Sequence, residues 1–365
     1  MKIFREISRS LALISLVAQA GICSEKFGDD SVARMINGDA VKILRNSSSG
    51  KEATCSMSIA PVIHLGYGSR YIGSDKSRSI LDTNGNASVE WELQRLDDFV
   101  SLLASLSNRA AIEDSYEIAD CVTKHITAWA DADALSGLDS LQARLTVPSR
   151  LSGIAFAYST IEPMISSSDP RHDAIRAWLR RRSYETIDAF DHEAPKRAAR
   201  NNLRAWAALE ALRIGITVKD PALLDWGRRS LELVACQAER DGALPLEMER
   251  GRLALHYQIH ATAPLVISAA LLSDEGDLAF EICDRAIPRI VDFVVSALDD
   301  HSILVGHTDE TQELGALNGS DLAWAVAFLR WNESPDLRKL IAGYPALRHS
   351  KYGGDQKLLW AGSGG

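Results

Sequence analysis

The sequence has no apolar run long enough to cross a bilayer as a helix within the body of the chain. It has no surplus of positive charge either. Lys and Arg total 40 against 49 Asp and Glu, a net charge of −9, which argues against a nucleic-acid partner. Cysteine is sparse, and the spacing of Cys23, Cys55, Cys121, Cys236 and Cys283 matches neither a metal site nor a dense disulfide framework. Cys121, Cys236 and Cys283 lie among apolar helix positions, where buried thiols are expected. An odd count leaves at least one cysteine unpaired within the chain. No Gly/Ser/Pro-rich linker divides residues 90 to 345, which favours one large domain over two. No sequence unit repeats, which disfavours a solenoid. Strand-like alternation is almost absent.

What is present starts at the N-terminus. Lys2, Arg5 and Arg9 precede the short apolar run Leu11 to Ala18, and Ala18-Gln19-Ala20 has the small-x-small form of a cleavage site. Residues 1–20 are therefore expected to be a signal peptide, with a periplasmic or secreted product. A lipoprotein alternative would use Cys23, but Ile22 precedes it where a small residue is expected. Residues 21–54 are rich in Ser, Asp, Gly and Asn and are expected to form a partly disordered arm. Residues 55–365 form the expected domain. Export would permit disulfides.

Helix signals fill that domain. Asp169-Pro170, Asp220-Pro221 and Ser334-Pro335 each pair a capping side chain with proline at the first helical position. Ile118, Cys121, Val122, His125 and Trp129 recur at intervals of three and four. Further helices are expected near 88–108, 149–166, 197–214, 251–272, 276–298 and 320–332. Many helices with short connections suggest an all-α fold, an α/α toroid of helix hairpins with a groove suited to a chain-like ligand, or otherwise an α-solenoid.

Three segments carry candidate chemistry. In Arg250-Gly251-Arg252-Leu253-Ala254-Leu255-His256-Tyr257-Gln258-Ile259-His260, Arg250 and Tyr257 are two helical turns apart and His260 leans the same way. A guanidinium beside a phenol favours phenolate and can grip a carboxylate. In Arg200-Asn201-Asn202-Leu203-Arg204-Ala205-Trp206-Ala207, an Asn amide can bind a carboxylate or hydroxyl and Trp206 offers a flat surface for a sugar, although Asn pairs also simply cap helices. The third, Ser69-Arg70-Tyr71-Ile72-Gly73-Ser74-Asp75, is a polar loop. The arginines between Arg171 and Arg204 are either a local anion-binding face or a solvated face balanced by Asp173, Glu185, Asp188 and Asp191. His125 reads as a core histidine. His301 and His307, near Asp309 and Glu310, have no tight metal-ligand spacing. Asp131 and Asp133 read as helix-end residues rather than a hydrolase acid pair.

In order and spacing, the three segments resemble the alginate lyases of polysaccharide lyase family five. These carry a Ser-Lys-Tyr-x-Gly-Ser-Asp-like loop, then Asn-Asn-His-x-Tyr-Trp-Ala, then an Arg-rich stretch ending Ala-Leu-x-Tyr. Ala128 to Leu135, Leu223 to Trp226, Asp241 to Pro245, Gly353-Gly354 and Leu358 to Trp360 are also similar, so the resemblance spans about residues 55 to 360. It implies an incomplete α/α barrel and β-elimination on a uronic-acid polysaccharide without a metal or other cofactor. By that resemblance Tyr257 takes the tyrosine role, Arg250 the arginine role, Asn202 the asparagine role and Trp206 the stacking role. Arg70, Tyr71, Asn201, Arg204 and His260 are expected to bind substrate. The family histidine is Leu203 here, the motif tyrosine is Ala205, and the loop lysine is Arg70. Three outcomes follow. Tyr257 serves as both base and acid, or His256 or His260 substitutes for the histidine (His260 has the better helical phase), or the groove binds polymer without cleaving it. The last would make the protein a polysaccharide-binding partner of export machinery. A glycoside hydrolase on the same toroid is the remaining enzyme class. A more open site also suits another uronate, such as glucuronate in a branched exopolysaccharide.

Overall fold

The structure, a computed structural model, describes Cys55 and residues 59–360. The expected signal peptide and N-terminal arm lie outside the described residues.

Helix α1 (Thr83–Glu113) starts where the Asp82 carboxylate accepts the backbone N–H groups of Asn84 and Gly85, and ends at Asp114 in the left-handed region. Its stripe of Leu93, Leu96, Phe99, Val100 and Leu103 is buried. Ser115 caps α2 (Tyr116–Asp131), whose periodic residues Ile118, Cys121, Val122, His125 and Trp129 face the core as their spacing requires. The short α3 (Leu141–Thr146) leads into α4 (Pro148–Ile161) and α5 (Arg171–Asp188). Then come α6 (Asn202–Val218), α7 (Pro221–Ala235), the single turn α8 (Pro245–Met248), α9 (Ala254–Asp274) and α10 (Ile282–Asp299). Helices α11 (Ala325–Trp331), α12 (Pro335–Ile341) and α13 (Gln356–Leu359) complete the described chain. Asp220 caps α7 and Ser334 caps α12, each followed by proline at the first helical position. The Asp169 carboxylate accepts the Arg171 N–H, so α5 begins one residue after Pro170.

The helices pair as hairpins in two curved layers. The inner layer runs α1, α4, α6, α9, α11, each packed on the next. In the outer layer α2 lies on α5, α5 on α7, α7 on α10 and α10 on α12. The sequence encodes which layer a helix joins. Every residue of α4 from Pro148 to Tyr158 is buried, and α6 and α9 are buried nearly all round, as helices apolar on every face must be. The outer α2, α7 and α10 bury one stripe each. This is the expected all-α toroid of hairpins. Strands are minor among the described residues. β1 (His64–Leu65) runs parallel to β2 (Gly137–Leu138), and β3 (Arg348–His349) antiparallel to β4 (Gly354–Asp355).

Three expectations change. Cys121, Cys236 and Cys283 are not free thiols: Cys55 bonds Cys121 and Cys236 bonds Cys283. The apolar position that buries each sulfur also sets it beside a neighbouring segment, and partners 66 and 47 residues away leave no local periodic trace. The last helical hairpins start later than expected, because Cys283, Asp284 and Arg285 adopt left-handed conformations before the regular part of α10. Arg250 is not on the Tyr257 helix at all. A 3₁₀ turn (Gly251–Leu253), entered through Gly251 at φ 56°, separates it from α9.

Candidate active site

A cleft of about 440 Å³ opens at one end of the inner layer. Its wall includes Arg70, Tyr71, Arg150, Asn201, Asn202, Leu203, Trp206, Arg250, His256, Tyr257, His260 and Lys351. Trp206, His256 and His260 also border a second hollow toward Asn318, Asp321, His349 and Tyr352, so the groove continues beyond the first cleft.

The loop bearing Arg70 and Tyr71 is built around Asp75. Burial raises the Asp75 pKa, but the Ser77 hydroxyl and the backbone N–H groups of Ile80, Ser79 and Ser77 donate to its carboxylate and bring it to about 2. The loop closes through Ile72 N–H to the Ile80 carbonyl and Asp82 N–H to the Arg70 carbonyl. Arg70 donates to Asn86 Oδ1 at 2.8 Å and lies 3.7 Å from Glu90. The Tyr71 hydroxyl hydrogen-bonds the Tyr257 hydroxyl.

Arg250 reaches Tyr257 despite the break before α9, its guanidinium carbon lying 3.4 Å from the phenol ring centroid and 5.1 Å from that of Tyr71. A hydrogen bond to the Arg78 carbonyl ties it to the loop. Gly251 suits this bend through its φ of 56°; a Cβ there would meet only the end of the exposed Glu310 side chain, which can move aside. The expected acidification of Tyr257 does not hold in the free cleft. Burial drives its pKa well above the ordinary phenol value, Arg250 pulls it down, and the Tyr71 contact and Glu247 push it up again. Burial outweighs the single guanidinium, so the resting phenol is protonated. Tyr257 itself is only partly buried and faces the cleft.

Asn201 caps α6 by accepting the Leu203 N–H at 3.0 Å. Glu247 orients Asn202, accepting its backbone N–H at 2.8 Å and its Nδ2 at 2.9 Å. Burial lifts Glu247 to about 6, against the lowering effect of those bonds and of Arg250 and Arg197. Trp206 donates Nε1–H to His260 Nε2 at 3.0 Å and stacks near His349 with centroids 6.0 Å apart. That bond uses the His260 Nε2 lone pair, which weakens the case for His260 as a substitute base. Burial and the nearby Lys351 and other cations also hold His260 well below the usual imidazole range. His256 lies closer to Tyr257 (5.0 Å between centroids, against 6.2 Å for His260) and is likewise shifted downward by burial.

Of the sequence-derived residues, Tyr257, Arg250, Asn202, Arg70, Tyr71, Asn201, Trp206 and His260 converge on the cleft. Arg204 does not. It bonds Ser230 and Asp191 and stacks over Trp226 on the opposite side of α6. Two helical residues rotate a side chain by about 200°, so Arg204 points away from both Asn202 and Trp206. Sequence reasoning missed Arg150, Glu247, His349 and Lys351.

Other candidates fall outside the cleft. His125 is buried in the core. His307 sits between two carboxylates, Nε2 at 2.7 Å from Asp241 and Nδ1 at 3.5 Å from Glu239. Asp133 is paired with Arg181 and Arg182, which lower its pKa, the opposite of what a hydrolase acid needs. No helix among the described residues is long and apolar enough to cross a membrane.

The alginate lyase family pattern matches residues 46–304. A polysaccharide lyase of Stenotrophomonas maltophilia is 29% identical over 244 residues, covering 66% of this chain and 72% of its own length. An alginate lyase of Pseudomonas syringae pv. tomato is 25% identical over 352 residues, 92% of this chain and 89% of that one. Alginate lyase A1-III from Sphingomonas species A1 superposes with a TM-score of 0.71 at 23% identity, covering 88% of this chain and 94% of that one. A variant of A1-III complexed with a tetrasaccharide gives a TM-score of 0.72 at 24% identity. With most of its length matched and the cleft assembled from the segments that carry the likeness, the chain belongs to the alginate lyase family and is a carbon–oxygen lyase acting on polysaccharide.

Proposed function

We propose that the cleft cleaves a uronate polymer of the alginate type by β-elimination, with Tyr257 as the residue that moves the proton. The observation that carries this reading is the placement of Tyr257: partly open to the cleft, stacked on Arg250, and bonded to the Tyr71 hydroxyl of the Arg70 loop.

The chemistry sets three demands. The substrate carboxylate must be neutralised so that the C5 proton becomes acidic, a base must take that proton, and an acid must reach the leaving oxygen. Arg250, Asn202 and Arg70 face the first demand with side-chain charge and hydrogen bonds. Tyr257 meets the others in turn. As phenolate it takes hydrogen from C5; the electron pair left behind forms the C4–C5 double bond and expels the C4 oxygen. The regained phenolic proton then passes to that oxygen, so every atom and electron is accounted for. A phenol that rests protonated suits the second half. The first half requires its prior ionisation, in which the resting phenolic proton passes to solvent and which Arg250 favours.

The groove through Trp206 toward His349 and Tyr352 supports binding of several consecutive sugars. Trp206 supplies the stacking surface, and Asn201, Tyr71 and His260 line it. Export to the periplasm or beyond is supported by the basic and apolar start of the chain and by two disulfides, which persist in oxidising compartments. There the protein would meet exopolysaccharide and any machinery that exports it.

Incubation of the purified protein with polymannuronate, polyguluronate and a glucuronate-containing exopolysaccharide tests the reading. Ultraviolet absorbance of an unsaturated uronate should appear with at least one. New reducing ends without absorbance would indicate hydrolysis, and saturable binding without cleavage would indicate a binding protein; either result contradicts the proposal.

A further inference from the structure

Six cations border the cleft; Arg78 is exposed to solvent, Arg197 pairs with Glu249 at 3.4 Å, and three more are already engaged. Arg70 bonds Asn86, Arg150 forms a two-bond ion pair with Asp97 at 2.8 and 3.0 Å, and Arg250 bonds a carbonyl and stacks on Tyr257. Lys351 is the exception. Its Nζ lies 5.9 Å from the Trp206 ring centroid and makes no hydrogen bond or ion pair among the described residues. A partly buried ammonium with no bonded counter-ion, supported only by the more distant charge of Asp97, is costly, and an anionic ligand would reduce that cost.

The backbone holds this lysine in place. It lies on the turn Ser350–Tyr352, packed across α1 and α4. Ser152 donates to the Lys351 carbonyl at 2.6 Å, and Asn108 donates to the Gly353 carbonyl at 2.8 Å. Gly153 of α4 lets the turn approach so closely that a Cβ would meet Ser350 and Lys351 backbone atoms. The turn is thus stapled to two inner helices while its ammonium faces the groove beside the stacking tryptophan.

We infer that Lys351 is a substrate-binding residue that pairs with the carboxylate of a uronate unit lying against Trp206, which makes the site selective for acidic over neutral sugars. This rests on the reading of the cleft as a uronate site. Binding is then linked to a proton. Burial and the charge of Arg150 and Arg70, partly offset by Asp97, lower the free Lys351 to about 7. The imidazoles facing the same space, His260 and His349, are neutral across the neutral range, being held far below the usual histidine value. A bound carboxylate favours the ammonium and raises its pKa. Affinity is therefore full below about pH 7 and falls as pH rises, by at most about tenfold per unit.

The test is calorimetric titration of Tyr257→Phe protein with a saturated oligouronate and with its carboxyl-reduced, neutral counterpart, alone and combined with Lys351→Met or Lys351→Arg. Lys351→Met should weaken oligouronate binding about ten- to a hundredfold, the range for one charge-assisted contact, and leave the neutral oligosaccharide unaffected. Lys351→Arg should retain binding and lose the decline above pH 7. Equal loss for both ligands, or unchanged oligouronate binding in Lys351→Met, would overturn the inference. If Lys351→Met does not fold, the Lys351-containing protein decides by itself: pH-independent affinity from 6 to 9 refutes the proton linkage. Failure of the lyase reading shows instead as oligouronate binding without any unsaturated product from protein that retains Tyr257.

Discussion

Two sets of cations occupy this molecule, and they differ in how they are used. Between Arg171 and Arg204 the sequence packs arginines densely, yet almost every one answers an acid. Arg171 pairs with Asp169 and Asp120, Arg176 with Glu162, Arg180 with Asp220, Arg181 with Asp133, Arg182 with Asp133 and Glu185, Arg197 with Glu249 and Arg204 with Asp191. The run is balanced by ion pairs but is not a wholly solvated face: Arg182 and Arg204 are buried, and many of the partners come from neighbouring elements rather than from the acids within the run. The cleft set, Arg70, Arg78, Arg150, Arg250 and Lys351, joined by Arg197 from the end of the run, comes from segments distant in sequence and leaves the Lys351 ammonium unpaired. Charge density along the chain marks helix-to-helix bridging here; convergence in space marks the site.

The contrast yields a graded series of expected effects. Arg250→Ala should lower kcat/KM on a polyuronate by about a hundred- to a thousandfold, as loss of one preorganised electrostatic group does, and Arg250→Lys should recover little because an ammonium cannot lie flat on the Tyr257 ring. Next, kcat of the unaltered enzyme should climb with pH through the neutral and mildly alkaline range, by up to about tenfold per unit. Burial has raised the Tyr257 pKa, so the phenolate fraction is small and grows as pH rises toward it. KM should worsen over the same range if Lys351 binds carboxylate, which separates the two titrations. In the paired run the kinetic effect should vanish. Arg204→Ala should cost about 1.5–3 kcal/mol in denaturant unfolding, since its Asp191 and Ser230 bonds are partly or fully buried, with kcat/KM unchanged. Arg181→Ala, an exposed pair, should stay within about 0.5 kcal/mol and leave kinetics alone. A large kinetic effect in either would break the distinction between the two sets.

The same distinction explains what the sequence disclosed. Caps such as Asp220-Pro221 and Ser334-Pro335 are local chemistry, and both helices start there. The stripe on α2 was legible because an outer helix buries one face. The inner α6 and α9 are apolar all round, so their ends were harder to place: a start near 197 was expected, but residues 198–200 form a 3₁₀ turn and α6 starts at Asn202. The segments holding Tyr257, Arg250, Asn202, Trp206, Arg70 and Tyr71 were identifiable by their order. Arg204 was misplaced because membership of a motif says nothing about rotation around the helix. His349 and Lys351 left no signal at all, lying at the end of the two-residue β3 and on the short turn after it, whose contacts with α1 and α4 are made across some two hundred residues of chain or more. Glu247 was hidden for the same reason: its role is to hold Asn202, 45 residues upstream.

The central claim, that the Tyr257 hydroxyl carries the proton in the cleft, is tested most directly by Tyr257→Phe. The substitution removes one oxygen and keeps the ring stacked on Arg250, so circular dichroism and melting should change little. Formation of unsaturated uronate from a polyuronate that the Tyr257 enzyme cleaves should fall by on the order of a thousandfold. A folded Tyr257→Phe protein that still forms the product at a comparable rate would contradict the account.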